Sequence, residues 1–167
     1  MQLKADQLAA HLAKGLKALY TIHGDEPLLA QEAGDAIRAA ARAASYNERK
    51  VFTVGNAAHF DWDGFVGASQ SMSLFAERQL IELRIPNGKP GKQGSEALQR
   101  YCETALSDDV VTLVHLPKLD WQQMKSGWFS ALDQAGVVLE VRAVERRDLP
   151  AWIAKRLAAQ GQRVADG

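Results

Sequence analysis

The sequence predicts an α/β domain built on a mainly parallel, five-stranded sheet with helices on both faces. Short, β-prone runs alternate with amphipathic helical stretches along most of the chain. Several of those runs are almost continuously apolar, the pattern of strands covered on both sides. The hydrophobic fraction, 47% of 167 residues, is enough to fill a core and too high for wholesale disorder.

The first segment, residues 3–16, places Leu3, Leu8, Leu12 and Leu16 near helical spacing, with Gly15 where a helix can stop. Residues 18–23 (ALYTIH) form the first strand, closing on Gly24. Pro27 then opens a long Ala-rich helix to about Ala44. Proline at the first helical position and the acids Asp25 and Glu26 just before it both favour that start. Residues 50–54 read as the second strand, and Asp61 caps a helix to about Met72. Residues 79–85 (QLIELRI) make the third strand. The loop 86–94, rich in Gly, Pro and Lys, leads into a helix from Ser95. Residues 110–116 (VVTLVHL) are the most apolar strand. Asp120 caps the next helix, with Gln123 three residues on in the capping-box position. Residues 137–141 (VVLEV) are the fifth strand.

The pattern then changes. Residues 145–148 (ERRD) are a charged joint, residues 149–159 an amphipathic helix, and residues 162–167 lead toward a further helix. The expected division is an α/β domain over residues 1–143 and the first part of a helical second domain over residues 144–167.

Lys plus Arg balances Asp plus Glu at 20 each, which argues against a freestanding nucleic-acid binder but not against a subunit that touches DNA inside an assembly. Cys102, the sole cysteine, excludes an intramolecular disulfide framework and suits a reducing cytoplasm; it is expected as a packed core thiol. The N-terminus lacks a signal-peptide core, and no apolar run reaches the roughly 20 residues of a membrane span. A soluble, cytoplasmic protein is expected.

In an open α/β sheet, ligands bind at the carboxyl ends of the strands, so the loop after the first strand matters most. It reads Gly24-Asp25-Glu26-Pro27-Leu28-Leu29. A phosphate cradle needs glycines that let backbone N–H groups approach the oxygens, and a Lys for charge. This loop offers one Gly and two carboxylates, and the G-x-x-x-x-G-K-[ST] register fails at Leu29. A tight turn and a capped helix are expected instead. The loop 86–94 fails in the same register at Gln93 and is expected to be a mobile surface loop, whose Lys89 and Lys92 could graze a DNA backbone. Neither the third nor the fourth strand ends in the acidic residues that hold a Mg²⁺ shell. Glu82 lies mid-strand, pointing to solvent or pairing with a basic neighbour. His11, His23, His59 and His115 form no metal-binding pattern, although His23 and His115 close strands and could border a cleft. Trp62, Trp121, Trp128 and Trp152 fall on helices, where packing is the expected role. No catalytic, cofactor or metal residue is identified.

Residues 70–78 (QSMSLFAER) join a helix to the third strand and place Met72, Leu74 and Phe75 in a short connection. Two readings stand on physical grounds: an exposed apolar plug for a partner's pocket, or an inward fold that completes the core. The segment resembles the clamp-binding element of the delta subunit of the bacterial DNA polymerase III clamp loader, matching at Gln70, Met72, Ser73, Leu74 and Phe75. The resemblance continues, in order, at residues 24–29 with Gln31 and Glu32, at Trp128, Phe129, Ala131 and Leu132, and at Leu149, Pro150 and Trp152.

It implies an AAA+/RecA-like three-layer domain without a working nucleotide site, followed by the start of a helical lid. It also implies no cofactor and no catalysis by the chain itself within the polymerase holoenzyme. The implied partners are the beta sliding clamp, the gamma/tau and delta prime loader subunits, and primed DNA through the assembly. Leu74 and Phe75 would enter an apolar pocket of the clamp, with Met72 and Ser73 beside them and Gln70 completing the pattern. The competing reading is a nucleotide- or metabolite-binding α/β enzyme with an atypical phosphate loop. A receiver-like domain is a further alternative, disfavoured because the third strand ends at Ile85-Pro86.

Overall fold

A computed structural model describes residues 1–68 and 78–142, together with residue 153. The central strands form where apolar, β-branched runs can be buried on both faces: β2 (Leu19–Gly24), β4 (Gln79–Arg84) and β5 (Val110–His115) are covered along nearly their whole length. β3 (Glu48–Thr53) alternates half-buried and exposed residues, as an edge strand with one open face does. β6 (Val137–Val141) lies on the other side of β2.

The sheet has six strands rather than five, in the order β1-β6-β2-β5-β4-β3, every neighbouring pair parallel. The added strand is β1 (Gln2–Lys4), which pairs Leu3 with Leu139. It corrects the helix expected over residues 3–16. Only α1 (Leu8–Ala13) is α-helical there, after a single 3-10 turn, and Gly15 follows at φ +127°. Leu3 obeys a partner more than 130 residues away, which local spacing cannot reveal.

The remaining helices are α2 (Pro27–Ala43), α3 (Trp62–Ala68), α4 (Gly91–Thr104), α5 (Trp121–Met124) and α6 (Gly127–Ala135). Two cores result, one on each face. One gathers Ile22, Ile37, Leu80, Leu113 and Leu139 beneath α2. The other gathers Phe65, Ile81, Leu98, Tyr101 and Leu132 under α3, α4 and α6. There Phe65 stacks on Tyr101 with ring centroids 4.6 Å apart, and the Tyr101 hydroxyl lies 2.5 Å from that of Thr112.

Two other expectations are corrected. α4 begins at Gly91, not at Ser95, so half of the supposed surface loop is helix. Gly94 is there for contact: a Cβ on it would stand 2.5 Å from Trp62 Cζ2. The segment after Asp120 divides into two helices. Asp120 and Gln123 form the expected capping box on the first, and Ser126 caps the second. Trp62 and Trp128 pack in the core, whereas Trp121 is 68% exposed, its ring covered only by the Lys125 ammonium at 3.3 Å. Cys102 packs against the core, and burial pushes its thiol up to about 11. No described helix is long and apolar enough to cross a membrane.

Candidate functional site

The loop after β2 is closed by its own atoms. Gly24 adopts φ +139°, and a Cβ there would stand 1.9 Å from the Val141 carbonyl oxygen, so only glycine fits. Its N–H donates to Pro117 O at 3.3 Å, and the Asp25 N–H donates to Val141 O at 3.2 Å. Pro27, first in α2, has no N–H to offer, and the Leu28 N–H donates to the Glu26 carboxylate at 3.2 Å. The Gly24, Asp25 and Leu28 donors are thus engaged, and the helix N-terminus carries its own anion. Asp25 adds a second negative charge, 3.9 Å from Lys118 Nζ.

The carboxyl ends of β3 and β4 border an open cleft of about 600 Å³ lined by Asn56, Asn87, Pro90 and Lys92 among others. Both asparagine side chains are turned to local duty: Asn56 accepts from the Ala58 N–H and Asn87 from the Lys89 N–H, each at 2.9 Å. His23 borders a different cleft, of about 420 Å³, with Phe129 and Glu140. Burial lowers its pKa, and its ring meets Phe129 edge-on at 5.2 Å. Among the described residues no group of His, Cys, Asp or Glu could hold a metal ion.

The strongest electrostatic feature lies on the α2 face of the sheet. Glu82, at mid-strand in β4, is wholly buried. Its carboxylate accepts from Arg38 of α2 at 2.7 Å, from Arg49 of β3 at 2.5 Å and pairs with His115 of β5 at 2.9 Å. Burial alone would raise its pKa; the hydrogen bonds of His115 and Arg49 and the charges of Arg38 and Arg49 outweigh that and hold it at about 2. Of the two orientations the sequence allows, pairing with a basic neighbour is what occurs, but inside the protein rather than toward solvent.

Gln70, Met72, Ser73, Leu74 and Phe75 lie outside the described residues, as do residues 144–152 and 154–167 of the expected second domain. The flanks of the first segment are firmly held. α3 buries Trp62, Phe65, Val66 and Ala68, and the Trp62 indole N–H donates to Ala57 O at 3.0 Å. On the other side the Arg78 guanidinium donates to Ala44 O at 3.1 Å and lies 5.3 Å from the Tyr46 ring centroid. The Gln79 N–H then donates to Asp109 O at 2.9 Å as the chain enters the sheet. Arg78 and Gln79 stand at the amino end of the sheet, opposite the closed loop after β2, whereas the Trp62–Ala57 contact stands at its carboxyl end.

An all-parallel sheet with helices on both faces, and a first βα turn closed by its own backbone and carboxylate, define an open three-layer α/β domain. Solved structures share this fold. The DNA clamp loader delta protein of Bacillus subtilis matches with a TM-score of 0.71 at 17% identity, over 96% of this chain and 49% of that one. A DNA polymerase III gamma subunit-related protein of Thermotoga maritima matches with a TM-score of 0.51 at 12% identity, over 95% and 54%.

The family model for the DNA polymerase III delta subunit matches residues 20–142, and the chain belongs to that family. DNA polymerase III subunit delta of Escherichia coli strain K12 is 35% identical over 156 residues, and that of Haemophilus influenzae 28% identical over 162. Each match covers 93% of this chain and 45% of the relative, so the chain spans about half the length of these curated relatives.

Proposed function

We propose that the chain is the N-terminal part of a clamp-loader delta subunit, which binds the beta sliding clamp through residues 70–75 and opens the ring for loading onto primed DNA. The observation that carries this reading is the pattern Gln70-x-Met72-Ser73-Leu74-Phe75 in a member of the delta family, set between two anchored elements, α3 and β4. A short apolar plug between packed flanks loses less freedom on binding than a free peptide would.

Leu74 and Phe75 fill the clamp's pocket, with Met72 and Ser73 beside them and Gln70 at the rim. Opening needs no chemistry here. A surface that binds the relaxed, open form of a clamp protomer better than the closed form shifts the ring toward opening by that difference. The closed loop after β2 supports a non-catalytic role, with ATP handled by the gamma/tau subunits. Those subunits and delta prime are the assembly partners of the full-length protein, residues 144–167 begin its helical lid, and it works in the cytoplasm.

The test is capture of the sliding clamp by the full-length subunit carrying Leu74→Ala and Phe75→Ala together. Truncating a hot-spot side chain costs roughly 2 kcal/mol or more, so the pair weakens binding by about a thousandfold. Thermal melting separates the alternatives, because two core truncations would each cost the fold about 2–5 kcal/mol. Lost capture with a normal melt is expected. A normal melt with clamp binding retained would refute the assignment, and a collapsed melt would place these residues in the core.

A further inference from the structure

Among the described residues the α2 face of the sheet is only partly covered. Beyond α2, the β3 residues Arg49, Val51 and Thr53 and the β4 residue Arg84 are exposed, on the face opposite Phe52, whose ring packs on Phe60 and Phe65. Register places Val51 beside Glu82, Thr53 beside Arg84, and Arg84 beside His115. At the strand positions of β3, β4 and β5 that share this face, Glu82 is the sole acid, against two arginines and a histidine.

One buried carboxylate has therefore gathered more cation than it neutralises. Arg38 is fully engaged, donating to Glu82 and, at 2.6 Å, to Asp35. Arg49 donates only its Nε to Glu82, and its side chain is 49% exposed. The Arg84 side chain, 44% exposed, approaches Glu82 no closer than 3.8 Å, and its guanidinium makes no hydrogen bond among the described residues. Arg42, one turn beyond Arg38 on the same side of α2, is exposed as well.

We infer that this uncovered β3–β4 face is a docking surface for the phosphodiester backbone of DNA. Guanidinium forks match phosphate oxygens in bidentate fashion, and the Thr53 hydroxyl adds a neutral donor between them. Arg49 and Arg84 start about 13 Å apart along the strands and converge toward Glu82, so their free N–H groups can meet adjacent phosphates of one strand. A protein interface would need buried aromatic or aliphatic anchors at its centre, whereas this face offers Val51 alone, 47% exposed and flush with the sheet. A balanced net charge permits such a patch, since Arg49, Arg84 and Arg42 lie together on this face. The inference rests on the proposed replication role only in choosing DNA over RNA.

The test uses the full-length subunit and a fluorescent primed-template DNA, with binding read by anisotropy over a salt series and clamp capture measured on the same samples. Arg49→Ala with Arg84→Ala is expected to weaken DNA binding about tenfold or more and to lower the salt slope by about 2, one for each lost phosphate contact. Because Arg49 also holds Glu82, a second variant, Arg84→Ala alone, removes a guanidinium that only approaches Glu82 at 3.8 Å; it should weaken DNA binding and lower the salt slope by about 1 while the melt stays unchanged. Clamp capture stays at the parent level in both. DNA affinity and salt slope unchanged in Arg84→Ala, or a parent that fails to bind the DNA at low salt, would overturn the inference. So would variants that hold DNA normally and lose an acidic protein partner instead. Failure of the parent to capture the clamp would sink the clamp-opening role and leave the DNA result readable on its own.

Discussion

Replacing Glu82 by Gln removes the negative charge at the centre of the α2 face while keeping its shape. In the native protein the carboxyl sits at about 2 against an ordinary 4.5, a difference worth on the order of 3 kcal/mol in favour of the folded, ionised form. The substitution forfeits that and leaves the largely buried Arg38 guanidinium without its main partner, so the expected loss is about 3–5 kcal/mol. With an m value of about 2 kcal/mol/M, the urea midpoint falls by roughly 2 M, readable from the buried Trp62 and Trp128.

The pH dependence has a defined sign. The folded pKa is depressed, so the contribution is fully present above about 4.5 and disappears as pH falls toward 2. Glu82→Gln should flatten the acid limb of stability in that window. Arg84→Ala, which removes a contact of 3.8 Å between an exposed side chain and the same carboxylate, should shift stability by less than about 0.5 kcal/mol. A Glu82→Gln variant with the parent's midpoint and an unchanged acid limb would refute the reasoning, since Glu82 could not then be an ionised, stabilising group.

Gly24→Ala should unfold the domain or lower its melting temperature by many degrees, because the new Cβ strikes the Val141 carbonyl at a φ that L-residues avoid; a melt within a degree or two of the parent would disprove the closed turn. Calorimetric titration with Mg-ATP should give no micromolar binding, since the donors after β2 are engaged and Asp25 and Glu26 stand where phosphate would lie. Cys102 should react slowly with a thiol reagent at pH 8 and fast after urea is added, as a thiol held at about 11 is almost entirely protonated there; equal rates would contradict its burial.

The central elements could be read because their signals are local. Pro27 behind two acids, the Asp120–Gln123 capping box and the apolar runs of β2, β5 and β6 each state their structure within a few residues. What escaped depends on distant partners. β1 is three residues long and exists because β6 lies beside it. The glycines of 88–94 look like a loop until Trp62 is seen against Gly94. The sequence leaves Glu82 open between solvent and a basic neighbour because Arg38 and His115, 44 residues before and 33 after it, carry no local mark of their convergence. The site read from residues 70–75 came from a sequence pattern, and the flanks that hold it came from the fold.

The strand order also sets a timetable. β2, the first long apolar strand to be made, pairs with β5 and β6 and with nothing synthesised sooner, so its two neighbours arrive some ninety and some hundred and twenty residues later. At about 5–20 residues per second, a ribosome leaves Leu19 to Ile22 without any sheet partner for roughly 5–18 seconds and without the second for roughly 6–24 seconds. During that interval α2 can form, because its contacts run within the helix, but it has no complete sheet to lie on. The nascent chain therefore carries an apolar strand with at least one open edge until β6 has emerged, and it is in that window that a chaperone or an encounter with another chain has its chance to act.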